Sequence, residues 1–423
     1  MALQLFPVAA LLLGSAFLVM AGGMHGLLLP VRGNIEGFST AELGLIGTGW
    51  AVGFVAGCVL VPAIVRRAGH VRSFGVMASI AAVVILLNLL IISPLAWILL
   101  RAVSGFCFAG AAMIVESWLN ERSTRDNRGT IFSVYQMVNF GASTAGQLAL
   151  AFRPPTDHFY FALGAILYCL AILPTALSTA ERPRPLKTNR LDLRALYKNS
   201  PVSAVACILI GMSNGAFGTL GPVYAQRIGL PIPSVAFLMA GSLLGGSLIQ
   251  FPLGWLSDRT DRRKVLIGIA CGAVLIGLTL LVLRPHQALV VVPLLVVFGA
   301  TTYPMYALAV AHANDFAAAD EFVKIAGGLL LLLGVGTMIG PLFAAYAMEH
   351  IAPEGLFAFT ATVHLLIGLY TFYRMSRRSA PAAAAREGFQ GLPVAKTATP
   401  ESATLDPRAA PEGGNPPPEE PKS

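Results

Sequence analysis

Long apolar runs alternate with short polar breaks along the whole chain. Twelve runs, 8–31, 41–65, 74–92, 96–119, 130–152, 159–178, 202–226, 235–256, 265–283, 288–313, 322–348 and 355–373, are each nineteen residues or longer. A bilayer core of about 30 Å takes about 20 apolar residues of helix, so the pattern predicts twelve transmembrane helices. Barrel strands would alternate polar and apolar positions over about ten residues, and these runs do not alternate. The sharpest break is GWLSDRTDRRK, residues 254–264. It sets Asp258, Arg259, Asp261, Arg262, Arg263 and Lys264 between two apolar runs.

The runs fall into two matching sets. GMHGLLLPVRGNIEGF (23–38) lies over GAFGTLGPVYAQRIGL (215–230) at an offset of 192, which pairs Gly23 with Gly215, Pro30 with Pro222 and Gly37 with Gly229. An offset of 194 later lays ASTAGQLALA (142–151) over GTMIGPLFAA (336–345). The expected plan is an all-α membrane protein of twelve helices in two pseudo-symmetric six-helix bundles. Residues 1–180 make the N-terminal bundle, 181–200 a basic cytoplasmic linker, and 201–378 the C-terminal bundle. Residues 379–423, rich in Ala, Pro, Gly and Glu, make a tail expected to remain disordered, because it holds too little apolar surface to order itself.

Composition agrees with a lipid environment. Of 423 residues 56% are apolar and only 12% charged, about half the charge of an ordinary soluble domain. The net charge of +8 would suit nucleic acid in a soluble protein, but here the positions of the charges matter more. With the N-terminus inside, the inner loops hold nineteen Lys and Arg residues and the outer loops only Arg32, Arg153, Arg227 and Arg284. Short cytoplasmic loops favour Lys and Arg, so both termini are expected in the cytoplasm, at the plasma (inner) membrane, and nucleic acid is not an expected partner. The first run lacks a basic lead and is too long for the core of a signal peptide; it is expected to remain as a span. The five cysteines fall inside spans without metal-ligand spacing.

Two parallel six-span halves resemble the major facilitator superfamily, whose substrates bind near the midplane between the halves. The inner-loop motif of that family reads roughly G-x-L-x-D-R-x-G-R-R/K after spans two and eight. Gly254, Leu256, Asp258, Arg259, Arg262 and Arg263 match it, with Asp261 in place of the glycine. The first copy departs: Pro62 stands for the first glycine and Arg66 for the aspartate, although Gly69 remains. RAVSG, 101–105, resembles the R-x-x-x-G of span four, and ESWLNER with PLGWLSDRTDRRK is similar to the YcaD-like branch. Gly340-Pro341 resembles half of an antiporter motif, displaced from span five to span eleven. That departure weighs against a drug/proton antiporter and leaves efflux open.

Three groups of polar residues are candidates for function. The first is gating. Asp258 is expected to face the start of span five with Arg125 and Arg128, and Arg66 and Arg67 to face Asp320 and Glu321 at the start of span eleven. Together with Arg259 these would latch the inner side in an outward-open state. The competing reading is solvated loop charge, since exposed pairs contribute only about 0–1 kcal/mol each.

The second group is ionisable residues at membrane depth, which are costly and so functional by default. Arg101 resembles the buried arginine that the family uses in proton coupling, or else it snorkels to the outer interface. Glu116 is a proton carrier or a solvated group near the inner end. His25 titrates near neutral pH or serves as a hydrogen-bonded structural residue.

The third group is a possible substrate wall. Gln136, Asn139, Ser143 and Gln147 recur at spacings of three and four and share one helical face. Such a stripe faces either protein or a watery cavity. Asn214, Tyr303 and Tyr306 join it as substrate candidates, with Pro304 between the tyrosines able to bend its helix. Met338 and Pro341 blunt the equivalent stripe in span eleven, so the site is expected to be asymmetric.

The expected function is a secondary transporter, proton-coupled, for a small organic solute, acting as a monomer with solute, protons and the bilayer as its partners. The alternatives are a drug or metabolite efflux antiporter and a non-transporting membrane sensor or scaffold. No set of nucleophile, base and metal ligands occurs at one depth, so the chain does not read as an enzyme, and no cofactor is expected.

Overall fold

The computed structural model describes residues 8–124, 127–177, 193–317, 321–378, 388–389, 391 and 399–403. All regular elements among them are helical. The N-terminal bundle is α1 (Ala9–Ile35), α2 (Thr40–Ala68), α3 (His70–Leu90), α4 (Pro94–Arg122), α5 (Arg128–Ala149) and α6 (Phe159–Ala176). After the short α7 (Leu193–Asn199) come α8 (Pro201–Arg227), α9 (Ile232–Arg259), α10 (Arg262–Leu283), α11 (Ala288–Thr302), α12 (Pro304–Asn314), α13 (Phe322–His350) and α14 (Gly355–Met375). Eleven spans are long and apolar enough to cross a bilayer, with α11 and α12 together forming one. The twelfth, α5, has 22 residues, but its polar stripe lowers its hydropathy. The run 288–313 is interrupted at Tyr303, where Pro304 takes the first position of a new helix, which a residue without an N–H fits well.

The two sets of runs fold alike. In the first bundle α1 packs on α5 and α6, α4 on α2 and α3, and α3 on α6. In the second α8 packs on α13 and α14, α11 on α9 and α10, and α10 on α14, which are the same five pairings. The repeat holds at the atomic level too. Phe38 N–H donates to Gly33 O at 2.9 Å and Gly37 N–H to Asn34 O at 3.3 Å; Leu230 N–H donates to Ala225 O at 3.0 Å and Gly229 N–H to Gln226 O at 2.9 Å. Both are Schellman endings, which need a left-handed residue, and Gly37 and Gly229 supply it at φ 82° and 85°. Close crossings repeat as well. A Cβ on Gly23 would lie 2.7 Å from Ser143 O, and one on Gly215 2.8 Å from Thr337 O. Small residues of this kind let helices approach where lipid gives no hydrophobic drive.

The bundles meet along α2 with α13, α5 with α9, and α1 with α8. On the face away from the basic loops they are tied directly. Arg227 Nη1 donates to Thr40 Oγ1 at 2.7 Å and Arg227 Nε to Asn34 Oδ1 at 3.2 Å; Glu349 Oε1 accepts from Ala41 N–H at 3.2 Å. Deeper in the same seam Thr48 Oγ1 donates to Met338 O at 2.7 Å. On that face Ser39 and Glu42 form a capping box that starts α2. Large apolar side chains such as Leu289 (91% exposed), Phe251 and Leu283 point outward, as expected of a surface solvated by lipid.

The charged break after α9 is resolved by pairing inside its own bundle. Arg262 Nε donates to Asp315 Oδ2 at 2.8 Å, and Arg262 Nη1 to Asp258 Oδ1 and Ser257 Oγ at 3.0 Å. Asp261 caps α10 and receives Arg263 through two nitrogens, at 3.0 and 2.8 Å. Burial alone would raise the Asp261 carboxyl, but the Arg263 hydrogen bonds and charge hold it below its ordinary value. Arg259 stacks on Trp255 at 3.8 Å.

The latch belongs to an outward-open state; here, with the face opposite the basic loops tied shut, Asp258 is held among the described residues by Arg262 and by the backbone N–H of Phe389. One expectation changes. The tail is not wholly without structure: Phe389 packs against Gly254, and Thr399 with Pro400–Ala403, a short 3-10 helix, is buried between α4 and α13. These segments dock on a surface that already exists, so they need no core of their own. Arg66, Arg67 and Glu321 are exposed. Arg125, Asp320 and most of the expected linker lie outside the described residues.

Candidate substrate cavity

A cavity of about 120 Å³ lies between the bundles. A water needs about 10–15 Å³ by this measure, so several waters or one small solute fit. Eighteen lining residues come from the N-terminal bundle and eight from the C-terminal one. The imbalance follows from the sequence: α5 presents Gln136, Asn139, Ser143 and Gln147, whereas among the described lining residues α13 presents only Thr337.

Five of the six substrate candidates line the cavity: Gln136, Asn139, Ser143, Asn214 and Tyr303. Tyr306 is not among the lining residues; it is buried in the packing of α12, one turn beyond the break at Tyr303. Trp50, Phe108, Phe140, Tyr168 and Thr219 also line the cavity. Trp50 carried a usable signal, being a tryptophan away from the span ends. Phe108, Phe140 and Tyr168 carried none, because a cavity aromatic and a core aromatic look the same in a sequence.

Several buried polar atoms of this wall have no hydrogen-bond partner: Nε2 and Oε1 of Gln136, Oε1 of Gln147 and Nδ2 of Asn214. A buried polar atom left unpaired costs about 1–3 kcal/mol, so groups of this kind mark places where a ligand or water bonds. Asn139 differs, since its Oδ1 accepts from Ser15 Oγ at 2.8 Å.

The three ionisable candidates occupy two places. Arg101 lines the cavity at 5% exposure, which removes the snorkelling reading. Its guanidinium sits 5.9 Å from the Trp50 ring. His25 lies behind the wall, fully buried, with Nε2 3.2 Å from Asn88 Oδ1 and its ring edge-on to Tyr168. Glu116 is fifteen residues along α4 from Arg101, about 22 Å at 1.5 Å per residue. It is 1% exposed and accepts from Tyr135 Oη at 3.0 Å and from Thr399 Oγ1. Asn139 is one turn along α5 from Tyr135, on the same helix face. Two separate hydrogen-bonded pairs, Ser15 with Asn139 at the cavity and Tyr135 with Glu116 one turn toward the basic face, therefore lie along α5. His25 and Arg101 stand apart from both.

The family model of the Major Facilitator Superfamily matches residues 11–248 and 204–410. The uncharacterized MFS-type transporter YcaD of Escherichia fergusonii is 26% identical over 380 residues, 89% of this chain and 98% of that protein. The YcaD of Shigella flexneri is 27% identical over 363 residues, 85% and 94% of the two chains. Among solved structures, the nucleoside transporter NupG aligns with a TM-score of 0.73 at 13% identity, covering 88% of this chain and 100% of that one. A bacterial homolog of the human lysosomal transporter Spinster, inward-facing and occupied, aligns at 0.69 with 15% identity, covering 90% and 97%. At these identities the solved structures speak for the fold alone, and the family model speaks for descent. Twelve helices in twinned bundles, a polar cavity at their seam and a family match along nearly the whole chain place this multi-pass membrane protein in the Major Facilitator Superfamily, a family of secondary transporters.

Proposed function

We propose that this protein moves a small organic solute across the plasma (inner) membrane by alternating access, coupled to protons through Glu116. The observation that carries the reading is the cavity wall: Gln136, Gln147 and Asn214 line a space shared by both bundles, and each carries amide atoms without a hydrogen-bond partner. Those atoms exchange water for solute, and Gln136 and Asn214 hold it from opposite halves. Proton coupling is supported by Glu116, a buried carboxyl that accepts from the Tyr135 and Thr399 hydroxyls. Protonation of Glu116 removes the charge those hydroxyls stabilise, and Tyr135 carries that change into α5, one turn from Asn139. The basic face is the cytoplasmic face by its Lys and Arg content, and the ties at Arg227 and Glu349 then close the outer side.

The test is solute movement in proteoliposomes under an imposed pH gradient, with solutes chosen by a thermal-shift screen. Accumulation collapses when the gradient is dissipated. Glu116→Gln abolishes gradient-driven accumulation and retains solute exchange, while Asn214→Leu abolishes both. Accumulation by Glu116→Gln equal to that of the unaltered protein refutes the proton assignment. Absence of any solute movement refutes the transport reading.

A further inference from the structure

We propose that the solute carries an anionic group, a carboxylate or a phosphate monoester, and that Arg101 receives it. This rests on the transport reading only for its location. Arg101 is the one cationic side chain among the described lining residues, and none of those residues is Asp or Glu. No ion pair joins Arg101 to a carboxylate among the described residues. A charge taken out of water needs a counter-charge or full hydrogen bonding. The Trp50 face at 5.9 Å is a weak substitute. Tyr168, which shares the cavity lining with Arg101, is a phenol with an ordinary value near 10, and His25 is engaged by Asn88; neither brings a carboxylate to Arg101. The guanidinium offers a planar fork suited to two oxygens of one group. Gln136 and Asn214 remain for the neutral part of the solute.

The test is a thermal-shift and equilibrium-binding panel on the full-length protein in detergent at fixed chloride. It sets propionate against propionamide, and glycerol 3-phosphate against glycerol, with propylamine as the cation. Anions are expected to stabilise and their neutral partners not, the better anion distinguishing carboxylate from phosphate. Arg101→Gln is expected to lose at least tenfold in anion affinity, and Arg101→Lys to regain part of it. Equal binding of neutral or cationic probes, no anion binding across the panel, or unchanged anion affinity in a folded Arg101→Gln overturns the proposal. Anion binding without transport in proteoliposomes would refute the transport reading and leave this one standing. Transport of a neutral solute unaffected by Arg101→Gln would do the reverse.

A second inference rests on separate contacts. We infer that the C-terminal tail is an autoinhibitory plug on the basic face. Its first anchor is on α9: Phe389 N–H donates to both oxygens of Asp258, the Phe389 ring covers Gly254 so closely that any Cβ there would clash, and Gly391 lies by Gln250. Its second anchor is between the bundles. Pro400–Ala403 touches α4 of one half and α13 of the other, and Thr399, 1% exposed, donates to Glu116. Ser402 Oγ donates to Thr399 O at 2.6 Å and braces the turn. Residues 399–403 therefore bridge the halves where they must change separation, and cover the Glu116 carboxyl.

Modification of Glu116 by a carbodiimide, read by peptide mass spectrometry, tests this in the full chain, in a chain ending at residue 378, and in Phe389→Ala and Thr399→Val. Glu116 is expected to react several-fold faster in all three variants, with faster solute exchange in proteoliposomes. Unchanged reactivity in the point variants, or a truncated chain that loses thermal stability with no gain in reactivity, overturns the plug.

Discussion

Replacing Asp315 with Asn tests what the charged break after α9 does. The Arg262 and Asp315 side chains are 1% and 2% exposed, with Nε and Oδ2 2.8 Å apart. The same guanidinium holds Asp258 and Ser257, so it fastens the last turn of α9 to the end of α12. Removing one member of a buried pair takes from the other charge its closest counter-charge, at up to about 3–5 kcal/mol. Asp258 is 38% exposed, so solvent screening lets it compensate little. Asp315→Asn and Arg262→Met are each expected to cost up to about 3–5 kcal/mol. The double variant Arg262→Met/Asp315→Asn is expected to cost about 2–3 kcal/mol less than their sum, because both charges of the pair leave together. The coupling in the cycle comes to about 2–3 kcal/mol. Denaturant unfolding in mild detergent, followed by tryptophan fluorescence, measures it. Single variants within about 0.5 kcal/mol of the unaltered protein, or strictly additive losses, refute the clamp. Lost transport with unchanged stability would instead favour a latch between the bundles.

Four further outcomes follow from the geometry. Gly215→Val places a side chain against Thr337 O and is expected to cost about 1–3 kcal/mol, whereas Gly141→Ala, with nothing within 4 Å, is expected to be neutral or mildly stabilising; thermal unfolding distinguishes them. Ser39→Ala removes the capping box of α2 and is expected to cost about 0.5–2 kcal/mol, read in the same assay. Asp261→Asn keeps a competent cap but loses the charge paired with Arg263. The native carboxyl lies below 3.8, so its stabilisation is present above the unfolded value and lost as pH falls through the folded one; the Tm difference from the unaltered protein should hold steady at neutral pH and close below about pH 4. Arg227→Ala removes both ties to Asn34 and Thr40 and is expected to speed maleimide labelling of Asn214→Cys from the face opposite the basic loops; an unchanged rate would show that the ties do not hold that face shut.

Individual residues show how far the sequence carried. Gly37 and Gly229 were paired by alignment alone, and both end the first helix of a bundle in the same hydrogen-bond pattern. The α5 stripe was legible because a 3.6-residue period maps polar residues to one face, and all four of its members line the cavity. Tyr306 was placed there by its nearness to Tyr303, but the break at Pro304 begins a new helix and that nearness does not carry through. Arg101 and Glu116 were already apart in the sequence, toward the outer and inner ends of one span, and fifteen residues of helix put about 22 Å between them; that Arg101 turns into the cavity instead of snorkelling came only from the fold.

The sequence by itself determined the spans, their twinned order, the helix endings and the polar face of α5. Each of these depends on hydrophobic length, backbone freedom or helical period, which are properties of neighbouring residues. The tertiary structure decided which unpaired amides share one cavity, that Arg101 faces it without a carboxylate, that Asp258 is held within its own bundle, and that Thr399 reaches Glu116. Those contacts join residues up to 283 positions apart, and they follow from how the helices rotate and seat against one another, which no local pattern encodes.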